Sequence, residues 1–163
     1  MKFTLALIAA ILISFAWLMP IHYRPWVTYT GELYAFFTLF ALAAICLKEK
    51  LKIPAVSLPL LILACVPLIQ FLMGQVFFFS TAMMGFIFVF SFWLAGVLGY
   101  NLSTGDYNRE ETFTNLSYVF LASGTVTGMI ALCQWTNLDS VLPGMVNISG
   151  TQRPYANFAQ PNN

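Results

Sequence analysis

Five apolar stretches, at residues 3–19, 32–47, 53–73, 81–100 and 112–134, take up most of this 163-residue chain. A bilayer's hydrocarbon core of about 30 Å needs roughly 20 residues of helix, within a range of about 17–25. Each stretch comes near that length. The first is interrupted only by Thr4 and Ser14 and stops at Pro20. The second is somewhat short but is extended outward by Tyr29. The third contains Pro54, Pro59 and Pro67, the fourth is rich in Phe and Gly, and the fifth is the most polar, with Asn115, Ser117, Ser123, Thr125 and Thr127. Charged residues make up only 8% of the chain and hydrophobic ones 60%, against about 25% and about 45–50% in soluble domains. So few charges cannot cover a surface facing water. The expected fold class is an all-α polytopic membrane protein with about five transmembrane helices. A net charge of +1 supplies neither a basic surface for nucleic acid nor an acidic tail, so no nucleic-acid partner is expected.

The basic residues set the expected orientation. With the N-terminus cytoplasmic, the inner side holds Lys2, Lys48, Lys50, Lys52 and Arg109, and the outer side holds only Arg24 and Arg153, which together account for the 7 in the chain. This is the positive-inside pattern, concentrated in the loop at residues 48–52. Trp17, Tyr23, Trp26 and Tyr29 would form the outer aromatic belt, and Tyr100 and Tyr107 the inner one. The first stretch has the basic start and apolar centre of a signal peptide, but residues 15–20 offer no small-x-small cleavage site, so an uncleaved span is expected. Residues 1–135 are thus read as a five-span membrane domain in a bacterial inner membrane. Residues 136–163 are read as a periplasmic segment leading toward a further span. Residues 75–80 form an outer turn in which Ser80 or Thr81 is available as a helix cap. Residues 101–111 form an inner loop.

Within the spans almost nothing is ionisable. Glu32 lies at a span boundary, and the other acids lie in loops. Proton relays and ion pathways place charges at membrane depth, so an ion-coupled transporter is not expected from these residues. Cys46, Cys65 and Cys133 lie in apolar runs with no His or second Cys at ligand spacing, and they read as packing residues; no metal site and no cofactor are expected. His22, the one histidine, has no acidic neighbour in sequence and reads as an interfacial loop residue. The Asn-x-Ser matches at Asn101, Asn115 and Asn147 are of the kind expected by chance. Small residues recur at Gly124 and Gly128, and again at Ser91, Ala95 and Gly99. Such spacing lets helix backbones approach closely, either within one bundle or at a homodimer face. Pro67 removes a hydrogen bond inside the third span and is expected to kink it.

After residue 135 the apolar run stops, and residues 150–163 gather Arg153, an aromatic pair and several amides. The planar donor fork of Arg suits a diphosphate, and amides both donate to and accept from sugar hydroxyls. Pro161 fits the first position of a helix. On chemistry alone this stretch would be only a polar loop. The pattern Arg153-x-x-Ala156-Asn157-Phe158-x-Gln160-Pro161-Asn162-Asn163, however, resembles the Arg-x-x-(Gly/Ala)-Asn-(Phe/Leu)-x-Gln-Pro-Asn element of bacterial protein glycosylation ligases. These are the pilin-type O-oligosaccharyltransferases, related to the O-antigen ligases and polymerases. The five preceding spans, with the Pro-Leu-Ile-Gln of residues 67–70, are similar to that family's N-terminal part.

The resemblance implies a full enzyme that transfers a glycan from an undecaprenyl-diphosphate carrier to a Ser or Thr of a periplasmic acceptor protein such as a pilin, in a membrane lipid setting. It also implies substrate-binding roles for Arg153, Asn157, Gln160 and Asn162. Family members carry further spans and a large periplasmic loop with an essential His and more Arg residues. His22 does not match that His, so the general base is expected beyond the C-terminus. The chain is accordingly expected to be a fragment or a truncated reading frame with no transfer activity of its own. Two other readings stand beside this one: a small helical assembly or binding module using the small-residue faces, and part of a lipid or solute transporter.

Overall fold

The computed structural model of the chain describes residues 2–19, 29–47, 51–104 and 109–138, with side chains from residue 5 onward. These residues form five α-helices: α1 (Lys2–Leu18), α2 (Tyr29–Cys46), α3 (Leu58–Leu72), α4 (Phe79–Thr104) and α5 (Arg109–Trp135). A 3-10 turn at Ala55–Ser57 precedes α3. Every expected span is helical. Tyr29–Cys46, Ala55–Leu72, Phe79–Thr104 and Arg109–Trp135 are each long and apolar enough to cross a membrane, and Leu5–Leu18 is a shorter apolar helix. Only 6% to 22% of those four apolar windows is buried within the chain. Large side chains such as Phe40, Ile62, Phe92 and Leu121 are left uncovered. Leaving each of them in water forfeits about 1.5–3 kcal/mol relative to burial; against lipid tails that loss disappears. Such exposure fits helices whose solvent is lipid.

Four boundaries differ from the sequence expectation, most of them for a local reason. The third span does not begin as α-helix. Pro54 is extended (φ −69°, ψ 132°), and its carbonyl accepts the Ser57 N–H at 2.9 Å and the Ser57 hydroxyl at 2.8 Å. The α-helix then starts with Pro59 in its first turn, where a missing N–H costs nothing. Helix α4 begins at Phe79, so Ser80 and Thr81 lie inside its first turn rather than in front of it. At its other end α4 runs on to Thr104 through residues that read as loop. There the Ser103 and Thr104 hydroxyls donate to the Tyr100 carbonyl at 3.0 and 2.7 Å, satisfying themselves without breaking the helix. Helix α5 starts at Arg109 with Glu110 and Glu111 in its first turn, the end of a helix dipole that favours acids.

Two helix ends close in the same way. At the end of α3, the Gly74 N–H donates to Phe71 O at 3.0 Å and the Gln75 N–H to Gln70 O at 2.9 Å, with Gly74 at φ +71°. At the end of α5, the Asn137 N–H donates to Gln134 O at 3.2 Å and the Leu138 N–H to Cys133 O at 2.8 Å, with Asn137 at φ +55°. Both are Schellman closures, which need a left-handed residue that Gly supplies freely and Asn tolerates.

The chain divides into two compact units, one of Met1–Ala41 with Phe113–Asn163 and one of Leu42–Thr112. In the first, the Phe15 and Tyr34 rings stack at 5.8 Å, and the backbone of Gly31 meets that of Ala16. Numbers that rise on α1 fall on α2, so these helices are antiparallel. Ser14 meets Ser123, and Leu18 packs on the buried Ile130. Trp17 meets Phe120 as well, so α5 lies alongside α1. In the second unit α3 and α4 are antiparallel: Phe71 contacts Phe79 edge-on at 5.4 Å, Pro67 faces Gly85, and the Trp93 indole N–H donates to Ser57 Oγ at 3.1 Å.

Candidate functional site

The residues assigned to substrate by sequence, Arg153, Asn157, Gln160 and Asn162, lie outside the described residues, as does His22. What is described is the element that leads to the terminal stretch and the surface beside it. Helix α5 delivers the chain to Leu138 through the closure at Asn137. Two residues before that helix ends, Cys133 accepts the Leu138 amide. Gln134 is buried there, at 5% exposure, as is nearby Ile130, which packs against Leu18 and Ala131.

Between α1 and α5 lies an apolar groove of about 410 Å³. Ile11, Phe15 and Leu18 line it from α1, and Tyr118, Val119 and Ala122 from α5. Ser14 also borders it, but its hydroxyl donates to Ala10 O at 2.8 Å and accepts from the buried Ser123 hydroxyl at 3.1 Å. Beyond Ser123, the Trp17 ring packs on Phe120 at 4.7 Å. With its serines already engaged, the groove presents hydrocarbon and suits an acyl or isoprenoid chain. It has no group to abstract a proton. Among the described residues no three His, Cys, Asp or Glu side chains converge on a possible metal position. Cys46, Cys65 and Cys133 form no disulfide with one another, and Cys46 is buried, in keeping with packing.

The close helix contacts fall elsewhere than the small-residue repeats suggest. A Cβ added to Gly99, Gly124 or Gly128 would meet nothing within 4 Å, whereas one on Gly31 would lie 2.8 Å from the Ala16 carbonyl oxygen. One on Gly85 would lie 3.1 and 3.2 Å from the Pro67 ring. No repeat marks Gly31 or Gly85; the available signal was Pro67 itself, a bulky ring inside a helix that needs a small neighbour. Asn101, which read only as a chance glycosylation match, is a structural clamp. Its Oδ1 accepts the Lys52 N–H at 2.8 Å, and its Nδ2 donates to Lys52 O and to Val97 O, each at 2.7 Å.

No family model matches the sequence, and no solved structure matches it. A curated relative does. Over all 163 of its residues the chain is 44% identical to the General O-oligosaccharyltransferase of Acinetobacter baylyi. This is homology to part of an O-oligosaccharyltransferase. The chain spans 28% of that relative's length. The likeness agrees with the resemblance drawn from the terminal motif.

Proposed function

We propose that these residues form the N-terminal membrane portion of an O-oligosaccharyltransferase of a bacterial inner membrane. The full protein moves a glycan from an undecaprenyl-diphosphate carrier to a Ser or Thr of a periplasmic acceptor such as a pilin. The observation that carries this reading is the 44% identity along the whole chain to a bacterial protein of that description. The N-terminus is cytoplasmic and the terminal motif periplasmic. Antiparallel α1–α2 and α3–α4 pairs support alternate crossing, and the basic residues support its sense.

In the reaction the acceptor hydroxyl loses its proton to a base, and its oxygen bonds to the anomeric carbon. The bond from that carbon to the diphosphate breaks, and the lipid diphosphate departs. Its developing charge calls for fixed cations and donors. Arg153 supplies a fork of donors to the diphosphate. Pro161 suits the first position of a helix, and Gln160, directly before it, is assigned to orienting donor or acceptor by hydrogen bonds. Asn157 and Asn162 hydrogen-bond sugar hydroxyls. The groove between α1 and α5 holds part of the isoprenoid tail. The general base is assigned to none of these residues.

The test is transfer rate measured together with membrane abundance for Arg153→Ala and Gln160→Ala in the full-length ligase. Losing one charge-assisted hydrogen bond costs about 1.5–3 kcal/mol, or roughly a ten- to hundredfold loss of transfer. Arg153→Lys should restore only part of it, because an ammonium lacks the fork. Unchanged transfer in both alanine variants would remove these residues from the site, and a collapse in abundance would make their role structural. The exposure of Gly124 and Gly128 favours one further reading, in which α5 also packs on another membrane segment.

A further inference from the structure

Residues 53–105 contain no Asp, Glu, Lys or Arg, the longest such stretch in the chain, and the turn between α3 and α4 lies in the middle of it. Around this turn the side chains are the opposite of what a water-facing loop would show. Leu72, Met73, Phe77, Phe78 and Phe79 are all exposed, Leu72 to 81% and Phe77 to 89%.

The N–H groups in the first part of the turn are satisfied within it. The N–H groups of Met73, Gly74, Gln75 and Val76 donate back to Ile69 O, Phe71 O, Gln70 O and again Gln70 O, at 2.9, 3.0, 2.9 and 3.3 Å. Those of Thr81 and Ala82 donate to Phe78 O at 3.1 and 3.3 Å. Non-helical backbone is excluded from lipid because its polar groups lack partners; here the donors of residues 73–76 are met inside the turn, and its remaining polar groups need the hydration of the headgroup layer. The Phe71–Phe79 contact ties the two helix ends together.

Length points the same way. The 3-10 turn and α3 together rise about 28 Å, just under the roughly 30 Å of hydrocarbon. With Ala55 at one boundary of the hydrocarbon, the turn arrives at the other; α4, 26 residues and about 39 Å long, then carries its excess length past the first boundary, to Asn101 beside Lys52 and on to Thr104. The turn's apolar surface also continues the uncovered flank of α3 at Ile62, Leu63 and Ile69.

We infer that the α3–α4 turn is seated in the bilayer, its backbone at the headgroup boundary and Leu72, Met73 and Phe77–Phe79 among the acyl chains. It is thus a lipid-contacting surface and not an aqueous loop. This rests on α3 and α4 crossing the membrane.

The experiment is nitroxide accessibility in phosphatidylethanolamine–phosphatidylglycerol vesicles. Single labels at Phe77→Cys and Phe78→Cys, with Leu63→Cys as the mid-helix reference, are placed in a background freed of native cysteines, Cys46, Cys65 and Cys133 among them. All three labelled positions are exposed, so labelling removes no packed contact. Oxygen concentrates in lipid, and a nickel chelate stays in water. The expected result is collision with oxygen exceeding collision with nickel at 77 and 78, as at 63, with 77 and 78 shallower. Nickel exceeding oxygen at 77 and 78 would place the turn in water, and low collision with both would mean that protein covers it; either outcome overturns the inference. A lipid signature at Leu63 in the same series separates failure of this inference from failure of the membrane reading.

Discussion

A methyl group added at Gly31 would sit 2.8 Å from the backbone oxygen of Ala16, and a peptide carbonyl has no rotamer with which to move away. Gly128, by contrast, stands in open space. The two positions therefore predict opposite outcomes for the same substitution. Gly31→Ala forces α1 and α2 apart and is expected to destabilise by about 1–3 kcal/mol, as overpacking does. That loss is offset by up to about 1 kcal/mol of helix propensity. Gly128→Ala gains the propensity term without the clash. Thermal midpoints of the two variants in one detergent check this: a lowered midpoint for Gly31→Ala and an unchanged or raised one for Gly128→Ala. The reverse order would mean that the GxxxG face, and not Gly31, carries the close approach. Two residue-scale features were legible beforehand: the apolar packing of Cys46 and the unusual position of Pro67. Gly31 was not, because a lone glycine in an apolar helix has no pattern to announce what lies opposite it.

At the scale of elements, α4 is fastened to the segment before α3 at two points. Trp93 reaches Ser57, and eight residues on, Asn101 pairs with both backbone groups of Lys52, much as a neighbouring strand would. Residues eight apart lie near one face of a helix, so both fastenings act on the same side of α4. Asn101→Ala deletes three hydrogen bonds. At about 0.5–1.5 kcal/mol each, reduced by the partial exposure of the site, the expected cost is about 1–2 kcal/mol. Asn101→Asp keeps only the acceptor half and should be nearly as costly. Hydrogen exchange at the Lys52 amide reads this directly, with fast exchange in Asn101→Ala and slow exchange in the parent chain. Equal exchange in both would show that the clamp does not hold in the membrane. The helices themselves follow from apolar run length. Their exact limits do not: α4 continues past the apolar boundary because Ser103 and Thr104 back-bond to Tyr100, and α3 starts late because Pro54 and Ser57 first make a 3-10 turn.

For the whole molecule the testable quantity is sidedness. Lys48, Lys50 and Lys52 on one connection, against Arg24 and Arg153 on the opposite side, predict that the connection at residues 48–52 is cytoplasmic. Reporter domains active only outside the cytoplasm should be silent when fused after Lys50 and active when fused after Gly74 and after Asn147. An active fusion at Lys50 would invert the orientation. It would also put the terminal motif on the side away from a periplasmic acceptor.

Run length and charge scarcity were enough to specify an all-α chain living in lipid, because a helix is the only way a single apolar segment satisfies its backbone there. The terminal motif was enough to point to an O-oligosaccharyltransferase, since the Arg-to-Asn spacing is a local pattern readable without a fold. Which helix faces meet was decided only in three dimensions. Apolar faces in a membrane protein carry no polar–apolar alternation to mark the inside, so Gly31 against Ala16, Gly85 against Pro67 and Ser14 with Ser123 had no signature along the chain. For the same reason, the groove between α1 and α5, built by residues a hundred or more positions apart in sequence, exists only once those two helices lie side by side.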